Sequence, residues 1–165
     1  MRVILLIVLG VVSIVLETSL LNYLAVFGAK PDILLLIIVF MAIFYGSKTG
    51  TYIGVIYGLM EDLVIGRYIG LNALVRAFTG YLIGLGEKKF YKDNLLVPFV
   101  ALFLATVVNE TLCLLLRSLV SARVEFPGGY YLLGQALYNS FLGLILYGKF
   151  YASATRGWLK GLNTK

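Results

Sequence analysis

From Val3 to Tyr151 the chain is a succession of apolar runs separated by short polar stretches. No other feature restricts its fold so tightly. A helix needs roughly 20 apolar residues to cross the hydrocarbon core of a bilayer. Runs of about that size can be marked at residues 3–24, 32–46, 48–65, 69–86, 94–120 and 130–151. In lipid, backbone N–H and C=O groups must be satisfied inside the segment, so such runs are helical. The expected fold is an all-α polytopic integral membrane protein, with six transmembrane helices in a single domain over residues 1–165.

The composition agrees. Hydrophobic residues make up 61% of the chain and charged residues 13%, where a globular domain carries about 25% charged. Mean hydropathy is +0.95. A water-soluble fold would lack the polar surface to cover itself, and the stretches between runs leave no room for a separate soluble domain. The first run follows Arg2 much as a signal peptide would. It is longer than a signal h-region, Glu17 interrupts it, and no convincing small-residue cleavage site follows. It is read as a retained span.

Lysine and arginine set the orientation. With six spans, both termini share a side with the second and fourth loops. That side carries Arg2, Lys48, Lys88, Lys89, Lys92, Lys149, Arg156, Lys160 and Lys165. The other carries Lys30, Arg67, Arg117 and Arg123. The excess puts both termini in the cytoplasm. Trp158 and the tyrosines near helix ends suit the interfacial belts. Residues 87–94, EKKFYKDN, form a basic cytoplasmic turn. Residues 121–131, SARVEFPGGYY, lie outside as a contact loop or a plain turn. The net charge of +6 fits an anionic membrane surface better than nucleic acid.

Chemistry is sparse. The chain has no histidine, which removes the commonest metal ligand and general base. Its one cysteine, Cys113, lies in an apolar run and has no partner for an internal disulfide. No Ser-His or Cys-His arrangement and no phosphate-cradling loop before a helix is present. The carboxylates sit at scattered depths, which does not suit a proton or ion path. The chain is not read as an enzyme, and no cofactor, metal or catalytic residue is expected.

What the sequence does offer is spacing. Glycine falls at Gly46, Gly50, Gly54 and Gly58, with Asp62 next in the same register and Gly66 and Gly70 beyond. Four residues advance a helix by about 400°, so the strip winds slowly along one side. Small residues at this spacing let another helix backbone approach closely. Over 46–70 the drift reaches about 240°, too much for one face. The third span therefore ends near 62–65, and Gly66 and Gly70 flank a tight turn. The spacing recurs as Asn72, Arg76, Gly80 and Gly84, and as Gln135, Asn139 and Gly143. Close helix packing is expected along Gly46, Gly50, Gly54, Gly58, Gly80, Gly84 and Gly143, within the chain or with a partner.

Polar groups within spans are costly, so they face protein or water. Glu17, Asp62, Asn72, Arg76, Glu110, Arg117 and Asn139 are the candidates for an internal network or a pocket. Glu61 or Asp62 can face solvent at a helix end. Glu110 and Arg117 share a face but lie about 10 Å apart, too far for direct pairing. Across helices, Arg76 has Asp62, Glu110 or Glu17 as prospective partners.

Several of these features occur together in one family. Lys30-Pro31-Asp32 opens a leucine-rich second span, the glycine-spaced third span ends at Asp62, and Gly66, Gly70 and Asn72 follow. This pattern resembles the MreD family of bacterial rod-shape-determining proteins over nearly the whole chain. Residues 30–46 and 46–80 carry most of the likeness. The resemblance implies a multi-pass subunit of the bacterial inner membrane that serves cell elongation and peptidoglycan synthesis. It implies association with MreC and, through MreC, with RodA, a penicillin-binding transpeptidase and MreB. It also implies a fold similar to the S-components of energy-coupling-factor transporters. On the first reading the chain is a non-catalytic scaffold that binds MreC by helix packing, with homo-oligomers left open. The alternative is an S-component-like subunit that binds a small molecule such as a vitamin, in a pocket lined by Asp62, Asn72, Arg76 and Asn139.

Overall fold

The structure, a computed structural model, describes residues 2–19, 29–65, 68–92, 94–120 and 128–156. Gly66, Arg67, residues 121–127 and Trp158 lie outside the described residues. The chain is all-helical: α1 (Arg2–Ser19), α2 (Ile33–Ile65), α3 (Leu71–Leu85), α4 (Leu96–Val120) and α5 (Gly129–Arg156), with a short 3-10 turn at Glu87–Lys89. Two helices are long and apolar enough to cross a membrane, Ile33–Val64 and Leu96–Val120, while Leu6–Ser19 is a shorter apolar stretch. Five helices stand where six were expected, because the runs at 32–46 and 48–65 are joined in α2.

That junction is a fold-back. Gly46 has φ 84° and ψ −177°, a non-helical conformation inside α2, in a region open essentially to glycine alone. A straight helix of 33 residues would be about 50 Å long. Asp32 and Glu61 would then stand about 44 Å apart. Instead both carboxylates reach the same guanidinium, that of Arg76. A Cβ built on Gly50 would also lie 2.8 Å from the Cβ of Ala42. The limbs 33–45 and 47–65 therefore run antiparallel and in contact.

The first limb is the central post. It is apolar all round, and Leu34 through Phe44 are all buried. On one side, Leu35, Leu36, Val39, Phe40, Ile43 and Phe44 pack with Ala101, Leu102 and Ala105 of α4 and Tyr147 of α5. On the other, Leu34, Ile37, Ile38 and Met41 pack with Ile53 and Tyr57 of the second limb and Leu6 and Ile14 of α1. The Tyr57 hydroxyl donates to the Leu6 carbonyl at 2.8 Å, so even this buried phenol is matched. Hydroxyls elsewhere donate back into their own helix, as Ser13 to Leu9, Thr79 to Val75 and Ser140 to Ala136.

The glycines do what their spacing suggests, and they do it inside the chain. A Cβ at Gly50 would sit 2.6 Å from the Gly80 carbonyl oxygen, and one at Gly54 2.5 Å from that of Arg76. A Cβ at Gly58 would collide with Ala73, and one at Gly84 with Ser47. As the glycines step forward along the second limb, their contacts step backward along α3, so the two helices are antiparallel. Gly143 of α5 faces Leu102 and Leu36. Gly46 provides the reversal rather than a groove, and its nearest neighbour is the Glu87 carboxylate. The second limb ends at Ile65 and Gly70 takes φ 96° before α3, as the register argument requires.

Replacing Gly46 by Ala forces a Cβ into a glycine-only conformation, at a cost of about 1–3 kcal/mol. In detergent, G46A is expected to melt well below the parent protein. G148A, at a helical glycine with open space around it, is expected to melt at or slightly above the parent. Thermal unfolding followed by circular dichroism checks both.

Candidate functional site: a polar cluster between two helix N-termini

The first turn of a helix leaves four N–H groups without helical partners. In hydrocarbon they must be met by protein. At the start of α2, the Asp32 carbonyl accepts the Leu36 amide at 3.1 Å and Asp32 Oδ1 accepts the Leu35 amide at 2.7 Å. The Leu36 bond is the first helical one; of the orphan amides before it, those of Ile33 and Leu34 donate to Glu17 Oε1 of α1 at 2.6 and 3.0 Å. A carboxylate from a neighbouring helix thus completes the cap. The negative charges also sit at the positive end of the helix dipole.

α3 is treated the same way. Its preceding residue, Gly70, offers no side chain for capping. Asp62, 2% exposed, reaches over from the end of the second limb. Its Oδ2 accepts the amides of Gly70 and Ala73 at 2.8 and 3.2 Å, and its Oδ1 that of Asn72 at 3.3 Å.

Arg76 ties the two caps together. Nη1 and Nη2 meet Asp32 Oδ1 and Oδ2, each at 3.0 Å, and Nε meets Glu61 Oε2 at 2.6 Å. The fork geometry gives two parallel charge-assisted bonds on one carboxylate. The Asp32 amide in turn donates to Asn139 Oδ1 at 2.9 Å, and Asn139 Nδ2 donates to Thr106 Oγ1 at 3.1 Å. One connected set of polar contacts therefore joins α2, α3, α4 and α5.

Two sequence expectations are corrected here. Arg76 pairs with Asp32 and Glu61, not with Asp62, Glu110 or Glu17. Asp62 and Glu17 instead hold backbone amides, because both lie beside helix starts. Of the adjacent pair, neither carboxylate is left to solvent: Glu61 faces Arg76 and Asp62 faces α3. Asn72 accepts a contact from the Cys113 thiol at 3.6 Å. Glu110 meets Gln135 Nε2 at 3.4 Å. Arg117 is exposed and forms no ion pair with a described residue. Asp62, Asn72, Arg76 and Asn139 are each bonded within the chain, which leaves less for a small molecule than a pocket reading expects. Among the described residues no group of His, Cys, Asp or Glu could hold a metal ion.

Sequence reasoning named Asp32 only as part of a motif and did not single out Thr106 or Asn109. Asp32 carried a usable signal, since an aspartate just before an apolar helical run is a capping residue. Thr106, Asn109 and Cys113 recur at three- and four-residue steps, which marks one polar face of α4.

R76M removes the only cation that pairs, among the described residues, with the Asp32 and Glu61 carboxylates, a loss that typically costs about 3–5 kcal/mol. A triple variant, D32N with E61Q and R76M, removes the charges together and keeps an amide able to cap α2. It is expected to regain a large part of the stability lost in R76M. Thermal melts of the three proteins in one detergent check this.

Comparison with known proteins points the same way. A family model described as rod shape-determining protein MreD matches residues 1–152. No curated protein and no solved structure gave a match. A match over nearly the whole chain, on an all-helical apolar fold, establishes that it belongs to the MreD family, membrane proteins without catalytic activity that act in rod-shape determination.

Proposed function

We propose that this protein is a scaffold subunit of the cell-elongation machinery in the bacterial inner membrane, and that it binds the membrane span of MreC. MreC then relates it to RodA, a penicillin-binding transpeptidase and MreB. The observation that carries the reading is the self-sufficiency of the Arg76 cluster and of the glycine seam. Buried charges are matched to one another or to helix ends, and the glycine seam is filled by the chain's own α3. What the bundle presents outward is apolar helix surface. On α1 alone, Ile4, Val8, Val11, Val12 and Val15 are exposed. MreC therefore docks on such an outer face and not in the glycine groove.

On this reading each limb of α2 on either side of Gly46 serves as one crossing, which keeps the six-span arrangement with five helices. The Gly46 end carries Lys48, Lys88, Lys89, Lys92 and Lys149, whereas the Asp32 end carries Lys30 and Arg117. This asymmetry supports a cytoplasmic location for both ends of the chain. At the cytoplasmic end, Lys92 also donates to the Phe44 carbonyl at 3.2 Å and pairs with Glu87 at 3.1 Å. Those contacts hold the turn after α3 against the fold-back.

The test is recovery of MreC with this protein from solubilised membranes, together with rescue of rod shape in cells lacking their own copy. MreC is expected to co-purify and rods to return. Addition of vitamins is expected to leave the melting temperature unchanged. Absence of MreC from the purified material, or a vitamin that raises the melting temperature by several degrees, contradicts the proposal.

A further inference from the structure

α4 and α5 meet through two polar rungs. In the first, Asn139 bridges Thr106 and the Asp32 amide, and the Thr106 hydroxyl donates to the Leu102 carbonyl at 2.8 Å. That rung is complete. One turn along each helix, Gln135 Nε2 donates to Glu110 Oε1 at 3.4 Å, a long contact. Gln135 Oε1 and Asn109 Oδ1 are buried there and meet no donor among the described residues. Asn109 is 5% exposed and Gln135 6%. Asn109 follows Thr106 by three residues and precedes Cys113 by four. Those neighbours meet Asn139 of α5 and Asn72 of α3, and Asn109 lies with them on the buried face of α4.

The unmatched groups share one character. Both are amide carbonyl oxygens, which accept hydrogen bonds as the Glu110 carboxylate beside Gln135 does, and a buried acceptor without a donor is costly. Charge points the same way. Glu17 is held by two amides, Asp62 by three, and Asp32 and Glu61 by Arg76. Glu110 forms no ion pair with a described residue. Arg117 lies about 10 Å further along α4 and is exposed.

We propose that Asn109, Glu110 and Gln135 form a binding site for a primary ammonium group. Such a group offers three N–H donors, as a lysine ammonium does. Three donors serve the two amide oxygens and the carboxylate, and the positive charge supplies what Glu110 lacks. Glu110 is only half-buried, which leaves the rung reachable from the outside of the bundle. The group belongs either to the ethanolamine head of a phospholipid or to a small free amine. A quaternary ammonium has no N–H to donate and is rejected.

The test uses the isolated protein, so it does not depend on MreC. Native mass spectrometry compares retention of phosphatidylethanolamine and phosphatidylcholine with matched acyl chains. A second arm, in lipid-free micelles, compares the melting shift given by methylammonium and by tetramethylammonium. A lipid head is expected to show roughly tenfold preferential retention of phosphatidylethanolamine. A free amine is expected to show as a melting shift with methylammonium alone. Either preference is expected to vanish in E110Q, and again in Q135M, which keeps the helix and the side-chain volume. Equal retention of both lipids together with equal shifts from both amines overturns the proposal, as does a preference that survives in the two variants. Water alone in the rung would give that first result.

Discussion

Two backbones touch at the heart of this protein. The second limb of α2 and α3 lie so close that a single added carbon at Gly50, Gly54 or Gly58 would meet main-chain atoms of the other helix. In lipid there is no hydrophobic force between helices, and close van der Waals packing takes its place. The contact also fixes position. It sets α3 so that Arg76, whose backbone lies at the Gly54 crossing, faces both Asp32 and Glu61. It brings the first amides of α3 under Asp62. Wider spacing would leave charges and amides without partners in a medium that offers none.

The polar cluster is then a set of obligations met together. Asp32 caps α2, receives Arg76 and, through its amide, holds Asn139. Glu17 finishes the cap from α1, a helix with a row of exposed apolar side chains, and so fastens that helix to the bundle. Shared duties of this kind make a polar core specific as much as stable, because no member can move without exposing another. The result is a bundle whose polar groups gather inside and whose exterior exposes apolar side chains along every long helix.

Much of this could be seen in the residues. Apolar run lengths gave helices and nearly their boundaries. The winding of the glycine register placed the end of the second limb near 65, and Gly70 took the turn conformation expected of it. Asp62 and Arg76 were recognisable as buried because a charge in a span needs shelter. Their partners were not recognisable. A carboxylate can satisfy a guanidinium or a row of amides equally well, and only the tertiary arrangement decides which is near. The fold-back at Gly46 was readable as a boundary between runs, but not as a one-residue reversal that lays two helical limbs against each other. Gln135 was noted only as part of a spacing, and Asn109 not at all. Neutral amides carry no charge to draw attention, and their lack of partners is visible only once the neighbours are in place.

The central claim is that the glycine seam is internal: α3 fills it, and no other protein does. Its most direct test is the melting temperature of the isolated chain carrying G54V, measured in detergent with no partner present. The account predicts a collapse, with the variant melting far below the parent or failing to yield a folded monodisperse protein. A variant that folds and melts like the parent, and loses only its association with another protein, would contradict it.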